Sequence, residues 1–251
     1  MKACVVLKPT ASKRLIAKGV AALPVIQQAL SSGTVVITLG TTNAFVAEEL
    51  LEGSIDRGVF AAGFIDGRWD LNARIDEAKE IVLREGKPTE VSTQELIDSL
   101  GTGDVVIKGG NALDPWGTVG VLLGASNGGT VGRYLPPALA RGVEIVIPIG
   151  LEKTIHSSVI DLAGELGSGR IDLCMGTPSG LHPLVGRVVT EIDALETLFA
   201  VEVMQVAAGG VGHGAGSVSL LIKGEDKAVQ AAFELVSTLV DETDPQLQGQ
   251  A

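Results

Sequence analysis

The chain has 251 residues; 45% of them are hydrophobic, 20% are charged and only 3% are aromatic, and the formal net charge is −11. This composition supports a sizeable core and excludes an intrinsically disordered protein. The acidic balance and the scarcity of aromatic side chains argue against binding to nucleic acid or to an anionic membrane. The length fits one large α/β domain or a core with a small appendage.

The sequence contains no obvious targeting or metal-binding segment. No apolar stretch is long enough to span a membrane, and the apolar run near the N-terminus is too short for the core of a signal peptide. Cys4 and Cys174 lie in apolar, strand-like contexts, and neither they nor the scattered histidines have the spacing of a metal site. We therefore predict a cytoplasmic protein with two buried thiols, no metal and no cofactor.

The first elements of the chain lead to a tight polar turn. A strand at Lys2–Leu7 and a helix interrupted near Pro24 precede a second strand, Val35–Leu39. Its near-continuous Val, Ile and Leu residues are typical of a strand covered on both faces, as in a parallel sheet. The turn that follows, Gly40–Asn43, opens a helix whose free backbone N–H groups can bind an anion, phosphate above all. Ordinary capping of a helix by Thr and Asn explains the same residues, so both interpretations stand.

A second glycine-rich turn follows the next buried strand, Asp104–Ile107, and begins with Lys108. A lysine at a strand end has no clear structural purpose, and the glycines after it let a ligand approach the backbone. Farther along this turn, Asp114 precedes Pro115, and such a pair is also common in plain turns. The turn therefore predicts a charged binding site, with the role of its aspartate left open.

Later segments repeat the order of strand, polar turn and helix. A third polar turn, Ala125–Thr130, precedes a Pro-Pro pair that predicts the start of a helix. The strand Val143–Ile149 then leads into Glu152 and Lys153, which are either part of a site or a surface ion pair. Asp66-Gly67, between the first two turns, predicts a β-hairpin. The repeated order implies a parallel sheet with its site at the carboxyl ends of the strands.

The C-terminal part has a different pattern. Residues 181–240 predict strand, helix, strand, strand and helix, which is most of a ferredoxin-like α+β unit without its last strand. Residues 164–185 are rich in glycine and proline and predict a linker. We therefore predict an α/β core over residues 1–180, a ferredoxin-like α+β subdomain over 181–240 and a disordered tail over 241–251.

Three segments together resemble the superfamily of ribose-5-phosphate isomerase A, glucosamine-6-phosphate deaminase and the CoA transferases. GTTNAFVAEEL at 40–50 resembles the phosphate loop of the isomerase, DVVIKGGNALD at 104–114 its lysine-glycine turn, and IVIPIGLEKTI at 145–155 its strand ending in Ser-Lys. The resemblance implies a Rossmann-like open parallel sheet with a C-terminal ferredoxin-like lid. It also implies that Thr41 and Thr42 bind phosphate.

The chain departs from the isomerase at its catalytic acids. The acidic segment that precedes the lysine turn in the isomerase is missing, and the position of its catalytic Glu falls near Trp116, which leaves Asp114 as the only nearby carboxylate. Enediol isomerisation needs a base, so we predict a relative with a different ligand or reaction.

Two functions of different classes fit these observations. One is an enzyme that binds a small anionic metabolite such as a sugar phosphate and catalyses an isomerase-type proton transfer; the other is a non-catalytic metabolite binder or scaffold. Either is expected to be a homo-oligomer. Asp114 close to Lys108 would favour the enzyme, and Asp114 used as a cap would favour the binder. The predicted catalytic residues are Lys108, Asp114, Glu152 and Lys153. The predicted ligand-binding residues are Gly40, Thr41, Thr42, Asn43, Gly109, Gly110, Asn111, Asn127, Gly129 and Thr130.

Overall fold

The computed structural model describes residues 1–249, which form a mixed α/β protein. Within these residues the helices are α1 (Pro9–Ala22), α2 (Pro24–Ser32), α3 (Thr41–Leu51), α4 (Thr93–Ser99), α5 (Gly129–Ala140), α6 (Val159–Glu165), α7 (Glu191–Leu198) and α8 (Asp226–Thr238). The strands are β1 (Lys2–Leu7), β2 (Thr34–Ile37), β3 (Gly63–Ile65), β4 (Trp69–Leu71), β5 (Ile81–Arg84), β6 (Lys87–Pro88), β7 (Val105–Ile107), β8 (Ala112–Leu113), β9 (Val119–Leu123), β10 (Glu144–Pro148), β11 (Gly180–Leu184), β12 (Arg187–Val189), β13 (Val201–Gly209) and β14 (Ser217–Gly224).

A six-stranded sheet in the order β12-β10-β7-β2-β5-β6 forms the centre of the molecule. The strands β12, β10, β7 and β2 are parallel, whereas β5 and β6 continue the sheet antiparallel, so the predicted open parallel sheet is in fact mixed. Val35–Ile37 and Val105–Ile107 are completely buried because helices cover both faces of these strands. The carboxyl ends of β2, β7 and β10 consequently meet at one edge.

The C-terminal elements are shared between two sheets. The predicted order of strand, helix, strand, strand and helix is present, but β12 lies in the central sheet, parallel to β10. The N-terminal strand β1 instead pairs with β14, which gives an antiparallel sheet in the order β1-β14-β13. The pattern of residues 181–240 could not reveal this arrangement, because the partner strand lies more than 200 residues away in the chain.

Two smaller sheets complete the architecture. The hairpin predicted at Asp66-Gly67 is present, with Gly67 in the left-handed region at φ +67° between β3 and β4. The strand β11 pairs antiparallel with β9, so part of the predicted linker at 164–185 belongs to a sheet. Cys4 is exposed, since alternate residues of β1 face away from the core, and Cys174 is half-buried; the prediction of two buried thiols is therefore wrong. None of the helices over residues 1–249 combines the length and apolar character that crossing a bilayer requires.

Residues 241–249 make specific contacts with the body of the protein, contrary to the predicted disorder of this tail. Arg14 donates from Nε to Glu242 at 2.6 Å, and Arg57 donates to the carbonyl oxygen of Thr243 at 2.9 Å. The amide of Ala73 donates to the carbonyl oxygen of Gln248 at 2.8 Å. Buried and half-buried arginines attract the acidic tail because their charge is otherwise poorly solvated. Residues 250 and 251 lie outside the described residues.

Close packing between α1 and α7 depends on a glycine. A Cβ atom added to Gly19 would lie 2.5 Å from the Cβ of Ala194 and 2.6 Å from its Cα, which is closer than real side chains approach each other. The contact therefore sets the distance between the two helices, and α7 follows directly on β12 of the central sheet.

We expect Gly19→Ala to lower the free energy of unfolding by ~1–3 kcal/mol, because the added methyl group overpacks the α1–α7 contact. Urea unfolding measures this change. Gly164→Ala in α6 is the matched control, since a Cβ added there would have nothing within 4 Å, and it should stabilise by roughly 0.5–1 kcal/mol. Equal stabilities of the Gly19→Ala variant and the wild type would contradict the packing interpretation.

Candidate functional site

A cavity of about 410 Å³ lies at the carboxyl ends of β2 and β7. Its lining comes from residues 39–179 alone, so the antiparallel sheet of β1, β13 and β14 contributes nothing to it. All ten predicted ligand-binding residues line this cavity, namely Gly40, Thr41, Thr42, Asn43, Gly109, Gly110, Asn111, Asn127, Gly129 and Thr130. The four predicted catalytic residues divide: Lys108 and Lys153 line the cavity, whereas Asp114 and Glu152 do not.

Asn43 joins the ends of β2 and β7 at the floor of the cavity. Its fully buried side chain donates from Nδ2 to the carbonyl oxygens of Thr38, at 2.8 Å, and Ile107, at 3.2 Å. Because these acceptors hold the amide nitrogen, Oδ1 must point the other way, toward Gly109, and it has no hydrogen-bond partner within residues 1–249. The hydroxyl of Thr42 is also buried without a partner there. These two polar atoms are buried beneath the cavity and lack partners in the described residues.

Two helices begin at the wall of the cavity. The helix α3, which starts after Gly40, has no side chain that caps its first turn, whereas the side chain of Asn127 accepts from the amide of Gly129 at the start of α5 at 3.0 Å. The interpretation of Gly40–Asn43 as an ordinary capped helix is therefore wrong, and the first backbone N–H groups of α3 remain available to an anion. The helix α5 begins at Gly129 rather than at the Pro-Pro pair, because burial of Tyr134 and Leu135 outweighs the effect of prolines inside a helix.

Two lysines stand at the floor without a counter-ion. Lys108 is 8% exposed and donates from Nζ to the carbonyl oxygen of Gly109 at 2.9 Å. Lys153, half-buried, donates likewise to Gly110 at 2.9 Å. Neither ammonium has a carboxylate within 4.0 Å in residues 1–249. Burial and the charge of Lys153 lower the pKa of Lys108 to about 8, and burial also lowers the pKa of Lys153.

Asp114 organises a turn beside the cavity. Its carboxylate accepts hydrogen bonds from the amides of Thr118 at 2.8 Å, Trp116 at 3.0 Å and Val159 at 3.1 Å. Burial opposes its ionisation, but these amides outweigh burial and hold the pKa of Asp114 below its ordinary value. A carboxylate held in this way is a weak base. Asp114 therefore stabilises the turn that contains Pro115, and it does not line the cavity.

Glu152 acts through its carboxylate on Lys153 and also on a second, buried carboxyl group. Its side chain folds over Gly150, and its Oε2 is buried without a hydrogen-bond partner in the described residues. Glu191 at the start of α7 is completely buried; its Oε2 accepts from the amide of Leu151 at 2.9 Å, while its Oε1 has no such partner. Burial and the charge of Glu152 raise the pKa of Glu191 to about 7. In sequence Glu191 is indistinguishable from an ordinary acidic residue in the first turn of a helix.

The apolar wall of the cavity also escaped sequence reasoning. Phe64, Ile65 and Trp69 from the β3–β4 hairpin lie over the cavity. The hairpin is held by main-chain hydrogen bonds of 2.8 Å from Trp69 to Met175 and from Thr177 back to Trp69. Asp66-Gly67 signals the hairpin, but nothing in its sequence indicates which surface the hairpin covers. The hairpin, and not the C-terminal sheet, is therefore the cover of this cavity.

The chain matches no protein-family model, no curated protein and no solved structure.

We expect Glu191→Gln to stabilise the protein at pH 8 relative to the wild type, with the difference shrinking as pH falls to 5. The carboxyl group has a pKa of about 7 in the folded state against 4.5 as its ordinary value, so the folded state keeps a proton that the unfolded state loses between these pH values. Wild-type stability therefore declines as pH rises through this window, by on the order of 3 kcal/mol for this group.

Urea unfolding at several pH values measures the effect, with Glu90→Gln, at an exposed position, as the control that should show no such trend. A constant difference between Glu191→Gln and the wild type from pH 5 to 8 would show that Glu191 is ionised throughout this range.

Proposed function

We propose that this protein binds a small anionic metabolite, a phosphate or carboxylate compound, in the cavity at the carboxyl ends of β2 and β7. The observation that carries this proposal is the pair Lys108 and Lys153, whose ammonium groups share the cavity floor without a carboxylate within 4.0 Å in the described chain. Two like charges in a poorly solvated place raise the free energy of the empty protein. An anion relieves that repulsion, so binding is favoured by more than its own contacts.

The start of α3 supports the same ligand chemistry. Thr41–Asn43 form the uncapped first turn of α3 and line the cavity, and the helix dipole adds partial positive charge at this end. Such a helix start binds phosphate readily. The charged end of the metabolite is thus assigned to the space between this turn and the lysines.

The resemblance of residues 40–50 and 104–114 to the phosphate loop and lysine-glycine turn of the isomerase superfamily favours a sugar phosphate as the ligand. A sugar phosphate also provides an anion for Lys108 and Lys153, which line the cavity. We therefore propose the sugar phosphates and related phosphorylated compounds as the first class to test.

Family membership is proposed on the same site. The three segments that resemble the superfamily of ribose-5-phosphate isomerase A, at 40–50, 104–114 and 145–155, each contribute to this one cavity. A Rossmann-like core is consistent with the four parallel strands and a site at their carboxyl ends. We also propose a ferredoxin-like subdomain, on the basis of the order of strands and helices from β12 to α8.

The geometry supports binding better than carboxylate-catalysed isomerisation. Asp70 is the one carboxylate among the described lining residues, and Arg68 donates to it at 2.8 Å. With Asp114 engaged in its turn, the floor lacks a Glu or Asp positioned to move a proton between carbons. The arrangement fits the non-catalytic binder, unless a lysine performs the chemistry.

We expect ribose 5-phosphate, dihydroxyacetone phosphate or glycerol 3-phosphate to raise the melting temperature, whereas uncharged ribose should not. A ligand at about 100 times its dissociation constant adds roughly 2.7 kcal/mol of stability, which a thermal shift detects. The double variant Lys108→Met, Lys153→Met should lose the shift, because it removes both cations. Lys227→Met, on the exposed side of α8, is the control that should keep it. No shift with any of these anions or with inorganic phosphate would rule out the proposal.

A scaffold function is the second candidate, and an uncovered sheet face favours it. Cys4, Leu221 and Met204 lie side by side across the antiparallel sheet, on the face opposite the core, and Val6 on the same face is 61% exposed. Apolar residues that share an open face are typical of an interface. We propose a second copy of this chain as the occupant of this face.

We expect the wild type to have the mass of a dimer or larger oligomer in light scattering after gel filtration, and Val6→Glu with Met204→Glu to reduce it to a monomer. Charges on this face would be desolvated in the interface, which opposes association. Leu139→Glu, at an exposed position of α5, is the control. A monomeric wild type would contradict this proposal and leave the cavity proposal untouched.

A further inference from the structure

We infer that Lys108 is a nucleophilic amine that forms an imine with an aldehyde or ketone group of the bound anionic metabolite. This inference rests on the proposed binding function and names the chemistry of the same site. It supplies a reaction that requires no carboxylate in the floor, and it narrows the ligands to phosphorylated or carboxylated compounds that contain a carbonyl group.

Lys108 lines the cavity, and its amine has a single hydrogen-bond partner in the described residues. The side chain leaves the end of β7 and is almost completely buried, with Nζ held only by the carbonyl oxygen of Gly109. The two residues that follow are closely packed glycines, since a Cβ on Gly110 would collide with Val119 and one on Gly109 would touch Pro148 and Asn43. This packing fixes the backbone from which Lys108 extends, and the cavity of about 410 Å³ that Lys108 lines is the space from which a reacting carbonyl group can approach.

The surroundings of the two lysines differ in a way that separates their roles. Glu152 and Glu191 lie near Lys153 and favour its charged form, whereas burial and the charge of Lys153 disfavour the charged form of Lys108. The neutral form is thus more accessible to Lys108, and its pKa of about 8 leaves roughly a tenth of the amine neutral at pH 7. A buried lysine beside another cation is a known way to make a lysine nucleophilic at neutral pH.

The step is balanced without a further reagent. The nitrogen lone pair of neutral Lys108 attacks the carbonyl carbon, a C–N bond forms, and the carbonyl oxygen takes up a proton to give a carbinolamine. The nitrogen then loses a proton, the hydroxyl group gains one, and water leaves as the C=N bond forms. The ammonium of Lys153 is the nearby acid that can give a proton to the oxygen and recover one from the nitrogen.

The first test is reductive trapping of the full chain. We expect dihydroxyacetone phosphate with sodium cyanoborohydride to add one covalent group, which intact-mass measurement detects and peptide mapping assigns to Lys108. Labelling of Lys108 should be about tenfold or more faster than that of exposed Lys227, because a pKa of about 8 leaves part of the Lys108 amine neutral near pH 7. Inorganic phosphate should compete with the labelling, and its rate should rise with pH up to about 8.

Two variants separate this inference from the binding proposal. Lys108→Arg keeps a cation but has no neutral amine at any relevant pH, so it should still be stabilised by glycerol 3-phosphate and should form no adduct. Lys108→Met should also form none, while Lys227→Met should react as the wild type does. If glycerol 3-phosphate stabilises the wild type but Lys108 is labelled no faster than Lys227, the imine inference is wrong and the binding proposal survives. If neither phosphate compound stabilises the wild type, both fail together.

Discussion

The parallel pairing of β2 with β7 is the constraint on which the site depends. Val35–Ile37 and Val105–Ile107 lie in register, and at their carboxyl ends Asn43 donates to Thr38 and Ile107 and so holds the two following turns together. Because this amide is fully buried and its donors are satisfied, the turns cannot separate without exposing unpaired groups. The loop with Lys108 and the start of α3 are therefore fixed relative to each other before any ligand arrives.

The same rigid floor holds charges that the fold itself does not neutralise. Elsewhere in the described chain, buried cations have partners, as Arg14 has Glu48, Glu49 and Glu242. Lys108 has only a backbone carbonyl group, although it is as buried as Arg14. A buried charge without a counter-ion at a cavity indicates a functional role, because selection for stability alone would favour its replacement by an apolar residue.

Carboxyl groups in this protein behave in opposite ways because of their surroundings. Asp114 receives three backbone N–H groups and has a lowered pKa, whereas Glu191 is completely buried near the carboxylate of Glu152 and has a raised one. Both are acidic residues next to a turn or helix start, so the sequence offers no means to distinguish them. The difference comes from amide groups and a second carboxylate that only the folded chain brings near.

The ligand-type turns could be predicted from the sequence because they depend on local rules: a buried strand followed by glycines, hydroxyls and lysine at a helix or loop start. All ten residues predicted from these rules line one cavity. Only the folded chain shows that β1 pairs with β14 and that β12 pairs within the central sheet. It also shows that the β3–β4 hairpin lies over the cavity and that Glu191 is buried near Lys153. Pairing between distant strands and burial of a charge depend on which surfaces pack together in the folded chain. A local pattern of residues does not specify these tertiary contacts.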